Sequence, residues 1–249
     1  MLTMPDSLTF ICLHYWAGAG HEFDQVAELL APDYQLLAPD LGGFGSAPAL
    51  PGGFTVAAYA DAVAAYIEAE CPGRYVLVGH SMGGKIALEL AARRPAGLAG
   101  VVLLSPSPPG PEPMTDEDRQ ASLQAWGKSA EAEKTVRHIT ARPLPAAMHR
   151  QVVADNLASS HAAWEAWLLH GSREDISPRM VLIEVPCALI AGDQDAVLSP
   201  SVHGLETLPL LPVGTTLEII AGAGHLLPYE SPEEVAALLY RFAQQRKQD

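Results

Sequence analysis

An apolar run, Tyr75-Val76-Leu77-Val78, leads directly into Gly79-His80-Ser81-Met82-Gly83-Gly84, and a helical pattern from Gly83 to Arg94 follows at once. That order restricts the fold more than any other stretch of the chain. A serine between a strand and a helix stands at the tip of a sharp turn, in strained backbone geometry. Side chains two residues to either side would collide there, which accounts for glycine at 79 and 83. The new helix directs its first N–H groups toward whatever lies over the serine, where negative charge is favoured.

The rest of the chain repeats this alternation. Leu8–Leu13, Tyr34–Ala38, Tyr75–Val78, Gly100–Leu104, Cys187–Ala191 and Thr216–Ile220 read as strands. Most are almost wholly apolar, as strands covered on both faces should be. Between them, Glu22–Leu30, Val56–Ala69, Gly83–Arg94 and Pro232–Gln245 read as helices. The last has Ser231 as a candidate N-cap, with Glu233 and Glu234 in its first turn. Strand and helix in alternation predict an α/β fold: a mostly parallel twisted sheet flanked by helices on both faces.

One stretch breaks the rhythm. From Pro106 to about Pro186 there is no convincing strand; Pro- and Gly-rich turns give way to helical sequence rich in Ala, Gln and Glu. Three of the four tryptophans, Trp126, Trp164 and Trp167, fall within it. An insertion between sheet strands sits at their carboxyl ends, where sites form. Residues 1–106 and 186–249 are therefore expected to form the core, and 107–185 a helical lid.

Composition narrows the function classes. With 49% hydrophobic and 18% charged residues the chain should bury a core, and its formal net charge of −14 repels nucleic acid and anionic membrane. Three cysteines, Cys12, Cys71 and Cys187, without a CxxC spacing, argue against a disulfide framework or a zinc site. Residues Met1–Phe10 lack the basic cluster of a targeting peptide, and no apolar stretch is long enough to span a bilayer. A cytoplasmic protein is expected.

A serine becomes a useful nucleophile only when a base takes its proton, and histidine has the pKa nearest neutrality. Among nine histidines, His225 stands out in Ala221-Gly222-Ala223-Gly224-His225-Leu226-Leu227-Pro228, a glycine-flanked loop after a strand and before the last helix. A carboxylate is then needed to fix the imidazole tautomer. Asp193 and Asp195 both follow the strand Cys187–Ala191.

Gly79-His80-Ser81-Met82-Gly83-Gly84 resembles the nucleophile elbow of the α/β-hydrolase superfamily, in its serine esterase-like branch, and the likeness extends over nearly the whole chain outside the lid. Asp40-Leu41-Gly42-Gly43-Phe44-Gly45 is similar to the superfamily's DxPGxG-type loop, with Gly42 in place of proline. The segment through Pro232-Glu233-Glu234-Val235 resembles its catalytic histidine loop, and its GxxD pattern after a strand selects Asp195 over Asp193. The resemblance implies a Ser81-Asp195-His225 triad in that chain order. It also implies an oxyanion hole made by the main-chain N–H groups of Met82, at the start of the elbow helix, and Trp16, where Tyr15 replaces the usual glycine. The superfamily's opening antiparallel hairpin is expected to be missing or very short.

These residues imply hydrolysis of a small or medium apolar carboxylic ester through an acyl-enzyme. His14, Tyr15, Trp126, Trp164 and Trp167 are candidate pocket residues. A thioester, a lactone or a C–C bond could be cleaved by the same triad, a lyase could borrow it as a base, and a small-ligand receptor could keep the fold without catalysis. No Walker loop or strand-borne GxGxxG is present, so no metal or organic cofactor is expected, and the expected partner is a small acyl substrate.

Overall fold

The computed structural model describes residues 8–71 and 73–246; the N-terminal Pro5 and Asp6, part of the targeting-peptide reading, lie outside them. Among the described residues, six strands form one parallel sheet in the order β2-β1-β3-β4-β5-β6. They are β1 (Thr9–Leu13), β2 (Gln35–Leu37), β3 (Tyr75–His80), β4 (Leu98–Leu104), β5 (Cys187–Gly192) and β6 (Thr216–Ile220). Every expected strand is present. β3 runs two residues further than the apolar pattern suggests, because Gly79 and His80 stay in register with Leu103 and Leu104.

Alternate residues of the inner strands feed two cores. Ile11, Leu13, Leu77, Val101, Leu103 and Leu189 pack on one face against α2 (Val56–Glu70) and α3 (Met82–Ala92). Phe10, Cys12, Val76, Val78, Val102 and Ile190 pack on the other, against α1 (Asp24–Leu30) and the C-terminal helix α8 (Pro232–Arg246). Each such aliphatic side chain withdrawn from water contributes roughly 1.5–3 kcal/mol before the entropy of ordering is counted. Burial on both faces explains why these strands read as continuous apolar runs. The edge strands differ: β6 alternates Thr216 and Glu218 with Leu217 and is largely exposed.

The expected single helix Glu22–Leu30 is split into a 3₁₀ turn, Gly20–Phe23, followed by α1. The cause is local. The Gly20 N–H is tied to the Asp40 carboxylate at 2.8 Å, and Glu22 turns inward to the ring of His80.

Between β4 and β5 the chain forms α4 (Asp116–Ala125), α5 (Ser129–Ile139), α6 (Ala146–Ala158) and α7 (His161–Leu169). Thr115 caps α4 and Ser160 caps α7, each hydroxyl accepting a main-chain N–H from the first turn. The reversal of strand order between β2-β1 and β3 opens a crevice at the carboxyl ends of β1 and β3, where ligands of open α/β sheets bind. No helix among the described residues is long and apolar enough to cross a membrane.

Candidate active site

Ser81, between β3 and α3, has φ 51° and ψ −116°, a conformation that costs a non-glycine residue about 1–3 kcal/mol. The flanking glycines are required by contact. A Cβ on Gly79 would lie 2.5 Å from the Gly83 carbonyl and the Gly84 Cα, and one on Gly83 would strike the Leu13 carbonyl. The start of α3 is thereby pressed against the end of β1, beside His14-Tyr15-Trp16. Ser81 is 8% exposed and opens onto a cavity of about 450 Å³ that His225 also lines.

The His225 ring is fixed from one side by Asp195. His225 Nδ1–H donates to Asp195 Oδ2 at 2.8 Å, while Asp195 Oδ1 accepts from the N–H groups of Val197 (2.8 Å) and Leu198 (2.9 Å). Burial alone would raise the Asp195 pKa, but His225, followed by the Leu198 N–H, holds it well below the usual carboxylate range. Burial alone would lower that of His225, yet Asp195, followed by Glu112 and Glu22, brings it above the usual 6.5. Asp193, the competing acid, instead accepts from the Gly222 N–H at 2.7 Å, out on the surface.

A second buried pair lies beneath. His80 Nδ1 faces the Glu22 carboxyl at 3.1 and 3.2 Å, and His80 Nε2–H donates to the carbonyl of His225 at 2.8 Å. Burial raises the pKa of Glu22 and His80 partly offsets it. The two histidine rings stand 5.2 Å apart. Glu22 is not recognisable from sequence, since a lone acid before a helix reads as a first-turn acid.

His14, a candidate pocket residue, does not line the cavity. It is wholly buried, donates from Nδ1 to the Tyr15 carbonyl at 2.7 Å and accepts the Leu41 N–H on Nε2 at 2.9 Å. It thus joins the loop after β1 to the one after β2, and burial lowers its pKa to about 4. Tyr15 folds its ring over Gly18 and against His80, with centroids 5.4 Å apart. A bulky residue is accommodated in that way at a position where glycine is usual. Tyr15, Trp16, Trp164 and Trp167 do line the cavity. The rings of Trp16 and Trp164 meet at a tilt of 45°, with centroids 4.1 Å apart. Trp126 is not among the lining residues: it is partly exposed, and its Nε1–H donates to Ser159 O.

The cavity is largely apolar but carries carboxylates. Glu112, Asp118 and Glu131 line it. Lys134, its one permanently charged cation among the described lining residues, is paired with Glu131 at 2.8 Å. Burial raises the Glu112 pKa, and the Ser107 hydroxyl and Lys85 pull it back. No group of three or more potential metal ligands is clustered among the described residues.

The sequence profile described as "Alpha/beta hydrolase family" matches residues 10–238. The chain belongs to the α/β-hydrolase family. It is an enzyme of that fold, and its named relatives include esterases and hydrolases. A pimeloyl-[acyl-carrier protein] methyl ester esterase of Neisseria meningitidis serogroup A is 31% identical over 96% of this chain and 78% of its own length. A 2-succinyl-6-hydroxy-2,4-cyclohexadiene-1-carboxylate synthase of Serratia proteamaculans is 28% identical over 93% of this chain and 91% of its own. Among solved structures, an esterase from Exiguobacterium antarcticum superposes on this α/β hydrolase with a TM-score of 0.87 at 18% identity, covering 97% of this chain and 93% of that one.

Proposed function

We propose that this α/β hydrolase is a serine esterase acting on small or medium, uncharged apolar carboxylic esters. Ser81 attacks the ester carbonyl while His225 Nε2, the nitrogen not committed to Asp195, takes its proton. The N–H groups of Met82 and Trp16 receive the developing oxyanion. His225 then protonates the departing alcohol and activates water to release the acid. Asp195 keeps the imidazole in the productive tautomer and stabilises its charged form.

The observation that carries this reading is the Asp195–His225 hydrogen bond of 2.8 Å behind a cavity that the strained Ser81 shares. Residues 107–185 serve as its lid: α4, α5, α6 and α7 supply much of the cavity wall, including Val136, Ile139, Trp164 and Trp167. A cytoplasmic location belongs to the same reading, in keeping with three free, buried cysteines.

The lining chemistry disfavours an anionic substrate. A carboxylate-bearing or phosphorylated acyl group would meet Glu112, Asp118 and Glu131, with Lys134 already paired. That counts against a second reading, in which the same residues act as a base on a carboxylate-bearing compound of the kind named for the synthase relative. A panel of p-nitrophenyl esters of rising acyl length, read with wild type and Ser81→Ala, tests the proposal. Wild type should show a burst and turnover, both lost in Ser81→Ala. Turnover surviving in Ser81→Ala would remove the nucleophile, and activity on carboxylate-bearing esters equal to that on neutral ones would remove the substrate class.

A further inference from the structure

Glu230 follows the histidine loop and is 7% exposed. Its carboxylate accepts four main-chain N–H groups from two separate segments. Oε2 takes those of Ala141 (2.8 Å), Arg142 (2.7 Å) and Gly224 (3.0 Å), and Oε1 takes that of Leu226 (3.0 Å). Ala141 and Arg142 belong to the helical insertion, just beyond α5; Gly224 and Leu226 are the two neighbours of His225. The His225 N–H itself donates to the carbonyl of Ile139 at 2.9 Å, in the last turn of α5.

The two segments touch closely enough to exclude a side chain. A Cβ on Gly224 would lie 2.6 Å from the Ala141 nitrogen and 2.9 Å from Glu230 Oε1. Arg142 reinforces the joint from outside, donating to the carbonyls of Glu230 (3.0 Å) and Ala221 (2.8 Å) and to Ser231 Oγ (2.7 Å). An ionised carboxylate accepts only, and it has enough lone-pair sites for four donors. Leaving any of these N–H groups unpaired in a buried site would cost about 1–3 kcal/mol.

We infer that Glu230 is a positioning residue for the proposed reaction: it fastens the main chain on both sides of His225 to residues 141 and 142 of the insertion. The insertion is then pinned at this end, and part of the mount that aims the imidazole comes from it. α5 carries Val136 and Ile139 in the cavity wall and ends at this joint, so an acyl group packed on α5 rests on the element that holds His225. The inference rests on His225 being the base.

The test uses the full-length protein with Glu230→Gln, which keeps the shape but turns an NH₂ toward main-chain donors, and Glu230→Asp, which withdraws the carboxylate by one methylene. His225→Ala is the control. Three quantities are read: kcat and KM on a short p-nitrophenyl ester, the thermal midpoint, and the low-field proton resonance of His225 Nδ1–H. A displacement of the ring by about 1 Å can cost roughly 10²-fold in rate. Glu230→Gln should therefore lose about 10–100-fold in kcat, well below its unfolding temperature, with KM within about twofold. The low-field resonance should shift or vanish, and Glu230→Asp should fall between. If Glu230→Gln does not fold, Glu230→Asp is judged by the same criteria. A lowered midpoint with wild-type kcat and an unmoved resonance would reduce Glu230 to a structural role and overturn the inference. Activity retained in His225→Ala would instead overturn the base assignment, so the two failures are distinguishable.

Discussion

Asp195 and His225 shift each other's protonation, and the consequence should appear in the pH dependence. In the proposed reaction His225 serves as a base only while neutral, and the carboxylates around it outweigh its burial and raise its pKa above 6.5. The sign follows: kcat/KM for a neutral ester should fall as pH drops through a midpoint above 6.5. Asp195→Asn removes the largest raising influence, so that midpoint should move to lower pH while kcat falls by about 10³–10⁴-fold. Both are read from pH–rate profiles with chemistry rate-limiting; a wild-type midpoint at or below the ordinary histidine value would contradict the electrostatics described. His80 is a different kind of residue. Its Nε2–H donates to the carbonyl of His225, so it supports the His225 main chain.

The β3-Ser81-α3 unit shows what a local pattern can encode. Glycine at 79 and 83 could be read from the turn alone, and the contacts with Gly83, Gly84 and Leu13 supply the reason. Gly83→Ala should therefore force α3 away from β1, costing about 1–3 kcal/mol in denaturant unfolding and most of the esterase activity. Unchanged stability would mean the β1 end yields easily. The strands were legible for the same kind of reason: burial on both faces leaves an unbroken apolar run, as in Val76-Leu77-Val78. What stayed hidden depends on residues far apart in sequence. Glu22 meets His80 across 58 positions, and Glu230 meets Ala141 across 89. Neither acid has a local spacing that separates it from an ordinary helix-end carboxylate. The tryptophans divide similarly. Trp164 and Trp167 face inward from α7, whereas Trp126 caps α4 at the edge, and composition alone could not tell them apart.

At the scale of the whole molecule, the charge of −14 and the carboxylates in the cavity act in the same direction. An ester bearing an ammonium group should be drawn in, a carboxylate-bearing one repelled, and a neutral one left indifferent. Raising salt from about 10 mM to about 0.5 M shortens the Debye length from roughly 30 Å to a few ångströms. It should therefore lower kcat/KM for the cationic ester, raise it for the anionic one and leave the neutral one within about twofold. Identical salt responses for all three would show that the field does not reach the site. The fold, the cavity and the field all converge on one hydroxyl. Rapid acid quench of wild-type enzyme during turnover of a p-nitrophenyl ester, followed by peptide mass spectrometry, tests that most directly. The expected result is the acyl mass on the peptide containing Ser81, with none in Ser81→Ala; steady turnover with that peptide unmodified, or an acyl group carried elsewhere, would contradict it.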